Sequence, residues 1–174
     1  MELLATVCPL PVLEFTFSLY GMESANHITF DDSLWPLLVI RFTGVSSDAK
    51  FEEYLVRRTD YLELREKHVV IYETARFQVI TTEQRQRQTQ WLKAHDDLVC
   101  DYSLGCALIV SSPITRLTLS IVLHFSQSAM TYYAARSFSD AVSWSAGRLA
   151  TAGLFQEAQR VRRHYGSLAQ RSTG

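Results

Sequence analysis

The sequence predicts an α/β domain: a small mixed, mostly parallel sheet flanked by about four helices, with a C-terminal helical extension. Three observations carry that prediction. Runs rich in Phe, Val, Ile and Thr alternate along the chain with runs whose apolar residues recur at helical spacing. Residues 37–40, Leu-Leu-Val-Ile, are apolar without alternation, as in a strand covered on both faces. Helix-start signals at Ser47-Asp48, Thr81 and Ser112-Pro113 each follow such a strand-like run.

Taken in order, the N-terminal third reads as extended structure. Strands are expected at residues 13–20, 26–30 after the turn-like Gly21, and 37–42 before Gly44, the last of them central in the sheet. Ser46, Ser47 and Asp48 open a first helix, in which Phe51, Tyr54, Leu55, Tyr61 and Leu62 form one face and Glu52, Glu53, Arg57 and Glu63 the other. Residues 68–72 are a short β-branched strand. Thr81, with Gln84 three residues later, is a capping box opening a second helix that runs to about His95. Its first half is polar throughout, and large apolar residues begin only at Trp91 and Leu92.

Residues 106–110 are the next buried strand, and Pro113 after Ser112 stands at a first helical position. The helix there carries Ile114, Leu117, Ile121, Val122 and Phe125 on one face with Leu119 and Leu123 outside it, more apolar than one face requires. Residues 131–135 form the last strand. Ser139 and Asp140 start a final helix with Ala141, Val142, Trp144, Ala146 and Leu149, and Gly153 breaks the chain before a basic helix at 155–170. Residues 1–153 thus form the domain, with an N-terminal β extension, and residues 154–174 a basic amphipathic tail.

A chain of 174 residues, 47% hydrophobic and 20% charged, can bury a packed core without a disulfide or a metal. The net charge of -1 gives no general bias toward nucleic acid. Only the tail is basic: Arg160, Arg162, Arg163 and Arg171 stand against Glu157 after residue 154. Three cysteines without scaffold spacing fit a reducing compartment, and the start of the chain lacks the basic n-region of a secretory signal, so a cytoplasmic location is expected. The longest apolar-rich stretch, 109–125, is interrupted by Ser111, Ser112, Pro113, Thr115, Arg116, Thr118 and Ser120 and falls short of the roughly 20 residues a spanning helix needs.

Arg76, Arg85 and Arg87 surround the helix start at Thr81 and Thr82, a pattern that suits a phosphate or phospholipid headgroup, since free N–H groups and the helix dipole favour anions there. Thr81 and Thr82 are also candidate phosphoacceptors. The plainer reading is that Thr81 caps the helix and the arginines are solvated. The apolar surplus of Ile114, Leu117, Leu119, Ile121, Val122 and Phe125 marks either an interface, as in a homodimer, or a helix buried on two sides. His95, Cys100 and Cys106 have no zinc-ligand spacing and the cysteines read as buried thiols, so neither metal nor cofactor is expected. The patterns GxSxG, HExxH, GxGxxG and the P-loop are absent, and His27, His68, His95, His124 and His164 lack a partner at a meaningful spacing. The tail has Phe155, Ala158, Val161, Tyr165 and Leu168 on one side. It docks on the domain, or lies on an anionic membrane, or touches nucleic acid.

The phrases WPLLVIRFTG (35–44), TTEQRQRQTQWL (81–92), ALIVSSPITRLTLSIVL (107–123) and FSDAVSWSAGRL (138–149), in that order, resemble the bacterial STAS and Sec14-like (SpoIIAA-like) group over residues 27–150. That resemblance implies a non-catalytic regulatory or scaffolding domain acting through protein–protein interaction, with a lipid or small-ligand binding module of the Sec14-like type as the alternative. Antagonists of this group carry a phosphorylated Ser in an Asp-Ser pair. Here Thr81 and Thr82 stand in its place without that pair.

Overall fold

An unbroken apolar run is stable as a strand only if both of its faces are covered, and the computed structural model shows how this chain covers them. Residues 27–44, 47–77, 81–110 and 130–171 are described. They form β1 (His27–Leu34), β2 (Leu37–Gly44), α1 (Asp48–Glu63), β3 (His68–Phe77), α2 (Thr82–Ala94), α3 (Asp96–Tyr102), β4 (Ser103–Ile109), β5 (Tyr132–Ala135), α4 (Phe138–Thr151) and α5 (Phe155–Arg171). The strands make one five-stranded sheet in the order β1-β2-β3-β4-β5. β1 is antiparallel to β2, and all other pairs are parallel. The expected mixed, mostly parallel α/β sheet is therefore present.

The crossovers from β2 to β3 and from β3 to β4 step in the same direction across the sheet, so right-handedness puts α1, α2 and α3 on the same face. Leu38, Ile40, Phe42, Val70 and Cys106 point to that face and pack against Phe51, Tyr54, Leu55, Leu62, Trp91 and Val99. The alternate residues Leu37, Val39, Val69, Ile71, Ala107, Ile109 and Ala135 meet Ala141, Val142, Ala146 and Leu149 of α4 and Ala158 and Val161 of α5. Each fully buried Leu, Ile or Val side chain contributes about 2 kcal/mol, which sets the register firmly because a one-residue slip would exchange the two faces.

The ends of the helices follow the capping chemistry read from the sequence. Ser47 caps α1, its side chain accepting from the Lys50 N–H, and Thr81 and Gln84 form both bonds of the capping box on α2. α4 ends in a Schellman arrangement: Gly153 has φ 85°, the Leu154 N–H donates to the Leu149 carbonyl, and the Gly153 N–H to that of Ala150. After this break α5 docks on the domain through Ala158 and Val161, both buried, and through Tyr165 packed edge-on against Phe138. Arg160 donates to the Trp35 carbonyl, whereas Arg162, Arg163 and His164 are exposed.

The structure differs from the sequence reading at several elements. β2 is second in the sheet and β3 is central. β3 runs on from Tyr72 to Phe77, paired along β2 through Arg41↔Glu73 and Thr43↔Arg76. The helix α3 was unexpected, and α4 starts at Phe138 with Ser137 as its cap, two residues earlier than Asp140 suggested. Asp140 instead sits in the first turn and accepts from the Tyr133 hydroxyl and the Arg136 N–H. The expected strand at 13–20 and the expected helix with Ile114, Leu117, Leu119, Ile121, Val122 and Phe125 lie outside the described residues. Among the described residues no helix is long and apolar enough to cross a membrane.

Candidate functional site

The cluster around Thr81 is assembled, and its polar groups are engaged with one another. The Thr81 hydroxyl accepts from the Gln84 N–H at 3.1 Å, and the Gln84 side chain accepts from the Thr81 N–H at 3.3 Å. Arg85 donates to the Thr82 hydroxyl at 3.1 Å. Arg87 makes two bonds to Glu52 on α1, at 2.6 and 2.7 Å, which hold that carboxyl below its ordinary range. Gln84, itself buried, donates to Asp48 at 2.8 Å. Two carboxylates from α1 thus lie beside the start of α2, and the bonds join α2 to α1. Arg76 falls in β3, opposite Thr43 in the register.

A cavity lies between the sheet and the α1–α3 layer, with a volume of about 210 Å³. Its floor is Phe42, Val70, Tyr72, Cys106, Leu108 and Tyr132. Its roof is Phe51, Tyr54 and Arg58 of α1, Gln88, Trp91 and Leu92 of α2, and Val99 of α3, with Ser103 and Met130 at the side. The aromatic wall is packed on itself: Tyr54 lies against Phe42 at 5.3 Å and Phe51 at 5.4 Å between ring centres. Trp91 is held by an indole N–H bond to the Thr59 hydroxyl at 2.9 Å and by the His95 ring stacked on it at 4.8 Å.

Arg58 is on this roof because of helical spacing. Phe51, Tyr54, Leu55, Arg58 and Leu62 are the buried residues of α1, the i, i+3, i+4, i+7, i+11 stripe, so the arginine takes a core position that its neighbour Arg57 does not. It is only 3% exposed, and its Nε and Nη1 have no hydrogen-bond partner. Its guanidinium sits 5.8 Å from the centre of the Trp91 ring. Tyr54 and Tyr72 share one long hydroxyl–hydroxyl bond of 3.4 Å. Burial, together with Tyr72, raises the Tyr54 hydroxyl well above its ordinary range, and burial pushes the Cys106 thiol up to about 12, so that both stay protonated at neutral pH.

His68, under the start of β3, is fully buried and stacks on Trp35 at 5.3 Å. Its Nδ1 bonds the Glu66 carbonyl at 3.0 Å, which makes Nδ1 the protonated nitrogen, while Nε2 has no partner. Burial first, and the charge of Arg58 second, bring its pKa down to about 4. His95 bonds the Trp91 carbonyl through Nδ1 at 2.8 Å; Cys106 is a buried thiol as expected, but Cys100 is exposed beside Asp96, on the outer side of α3 where only Val99 is buried. Among the described residues no group of three His, Cys, Asp or Glu side chains could hold a metal ion.

Sequence reasoning placed Thr81 at a helix start with Arg85 and Arg87 in that helix, whereas Arg76 belongs to β3, and it missed the cavity altogether. The signal that could have found it was a single charge at position 58 on an otherwise apolar stripe. Comparison with family models, with curated proteins and with solved structures found no match to this chain.

Proposed function

We propose that this chain is a non-catalytic, cytoplasmic binding module that takes up a compact hydrophobic small molecule between its sheet and the α1–α2 layer. The observation that carries the reading is the apolar, aromatic-walled cavity of about 210 Å³. Protein interiors normally leave few voids larger than a water molecule, and a dry cavity of about 150 Å³ is enough to bind benzene. The space therefore suits a single ring or a medium-length chain and is too small for a two-chain lipid. Both α1 and α2 line it, so an occupant touches the element that carries Thr81 and Thr82. That supports a module whose ligand is its input, in keeping with the regulatory role that resemblance to the STAS group implies.

The test is amide NMR of the whole chain with a panel of single-ring and medium-chain compounds, neutral and acidic. At least one should shift the resonances of Tyr54, Trp91 and Val99, and the shifts should vanish in Val99→Phe, which fills the cavity from α3. If no member of the panel moves these resonances, the reading fails.

A further inference from the structure

A buried charge without a partner is among the most costly features a fold can contain, and it is normally neutralised, hydrated or paired. Arg58 is such a charge. Arginine stays protonated in proteins. Its side chain is 97% buried by the 3% exposure, and neither Nε nor Nη1 is bonded. The side chains that line the cavity with it include no Asp or Glu among the described residues, and Glu52, on the same helix, is held by Arg87. The ring of Trp91 at 5.8 Å offers the guanidinium a quadrupole and no acceptor.

A second, independent donor faces the same space. Tyr54 and Tyr72 carry two hydroxyl protons but share one bond, so one proton is left over. Burial keeps the Tyr54 hydroxyl protonated. The lining thus combines an apolar, aromatic body with donors in surplus and no anionic acceptor.

We infer that the ligand of this cavity is an organic monoanion, a compact hydrophobic carboxylate whose two oxygens accept from Arg58 while its ring or chain packs against Trp91, Phe51 and Val99. This deepens the proposed binding function and rests on it. A planar guanidinium matches a carboxylate in shape and in the number of its donors. A phosphate monoester would bring close to two negative charges to a site whose described lining holds a single cation, so the monoanion is the better match. The same residue explains why a neutral occupant is disfavoured: it would cover Arg58 without satisfying it.

The experiment compares matched pairs by isothermal titration with the full chain at pH 7: 3-phenylpropionate against 3-phenylpropionamide, and hexanoate against hexanol. Each carboxylate should bind about tenfold tighter than its neutral partner or better, as charge-assisted bonds to a buried guanidinium require. Arg58→Met, which keeps the length of the side chain and removes the charge, should abolish that preference by weakening the carboxylate of each pair. Arg58→Lys, a second variant, should retain a reduced preference. Equal affinities within each pair would overturn the carboxylate inference while leaving the cavity reading in place. Absence of binding by every compound would overturn both. If Arg58→Met does not fold, the matched pairs on the unmodified chain and on Arg58→Lys still decide the matter.

Discussion

Replacing His68 by Phe should flatten the dependence of stability on pH between about 6.5 and 5. His68 titrates at about 4 in the folded chain against an ordinary value of 6.5, because it is buried and feels Arg58. Above 6.5 the ring is neutral in both states and contributes no pH dependence. As the pH falls below 6.5 the unfolded chain takes up a proton that the folded chain refuses, so stability is lost, and the loss ends once the pH has passed below about 4. Each pH step of one in that window costs about 1.4 kcal/mol, about 2 kcal/mol by pH 5 and about 3 kcal/mol in full. Urea unfolding at pH 7.5 and at pH 5 gives the two free energies for the unmodified chain and for His68→Phe. Phe keeps the stack on Trp35 and loses the Nδ1 bond to Glu66, so its absolute stability will differ, but contributions of the other histidines cancel in the comparison of slopes. Equal slopes in the two chains would refute the claim that His68 is neutral and buried in the fold.

Two glycines provide a matched pair of perturbations. Gly105→Ala should cost about 3 kcal/mol in urea unfolding, because its φ is +131° and a Cβ there would lie 2.6 Å from the Thr131 carbonyl oxygen and 3.0 Å from the Trp144 ring. Gly153→Ala should cost only about 1 kcal/mol, since its φ of +85° is unfavourable for alanine but nothing lies within 4 Å of the added carbon. Equal losses at the two positions would show that backbone conformation alone, and not contact, sets the larger penalty.

Much of the fold was legible because the features concerned are local. The unbroken apolar run of β2, the Thr81–Gln84 capping box and the glycine that ends α4 each act within a few residues of chain, and each is found where it was expected. The elements that were misread depend on partners distant in sequence. The outer half of β3 begins Glu73-Thr74-Ala75-Arg76, a run with no apolar pattern, and is a strand because β2 lies alongside it. The helix α3 spans seven residues, too few to establish a period, and only Val99 is buried in it. Ser137 and Ser139 are equally good caps in isolation. The contacts of Asp140 with Arg136 and Tyr133 select the first.

The site was illegible for a related reason, which the topology makes plain. In open parallel sheets a ligand usually sits beyond the strand ends where the strand order reverses and neighbouring crossovers leave a crevice. Here the described strands follow one another across the sheet in chain order, so no such reversal occurs among them. The crossovers that carry α1, α2 and α3 fall on the same face instead, and the space available for a ligand is the seam between that helical layer and the sheet. A seam of this kind has no Gly-rich signature, because its walls are ordinary core positions and only the identity of one of them differs. Arg58 is that position, seven residues after Phe51 on the same stripe of α1. The arginine reaches Trp91 of α2, and Thr59, its neighbour in sequence, bonds the same indole at 2.9 Å. Arg58 therefore lies at the joint between α1 and α2, the joint that Glu52–Arg87 and Asp48–Gln84 close on the outside next to Thr81. The cavity and the exposed start of α2 are two ends of one contact between these helices.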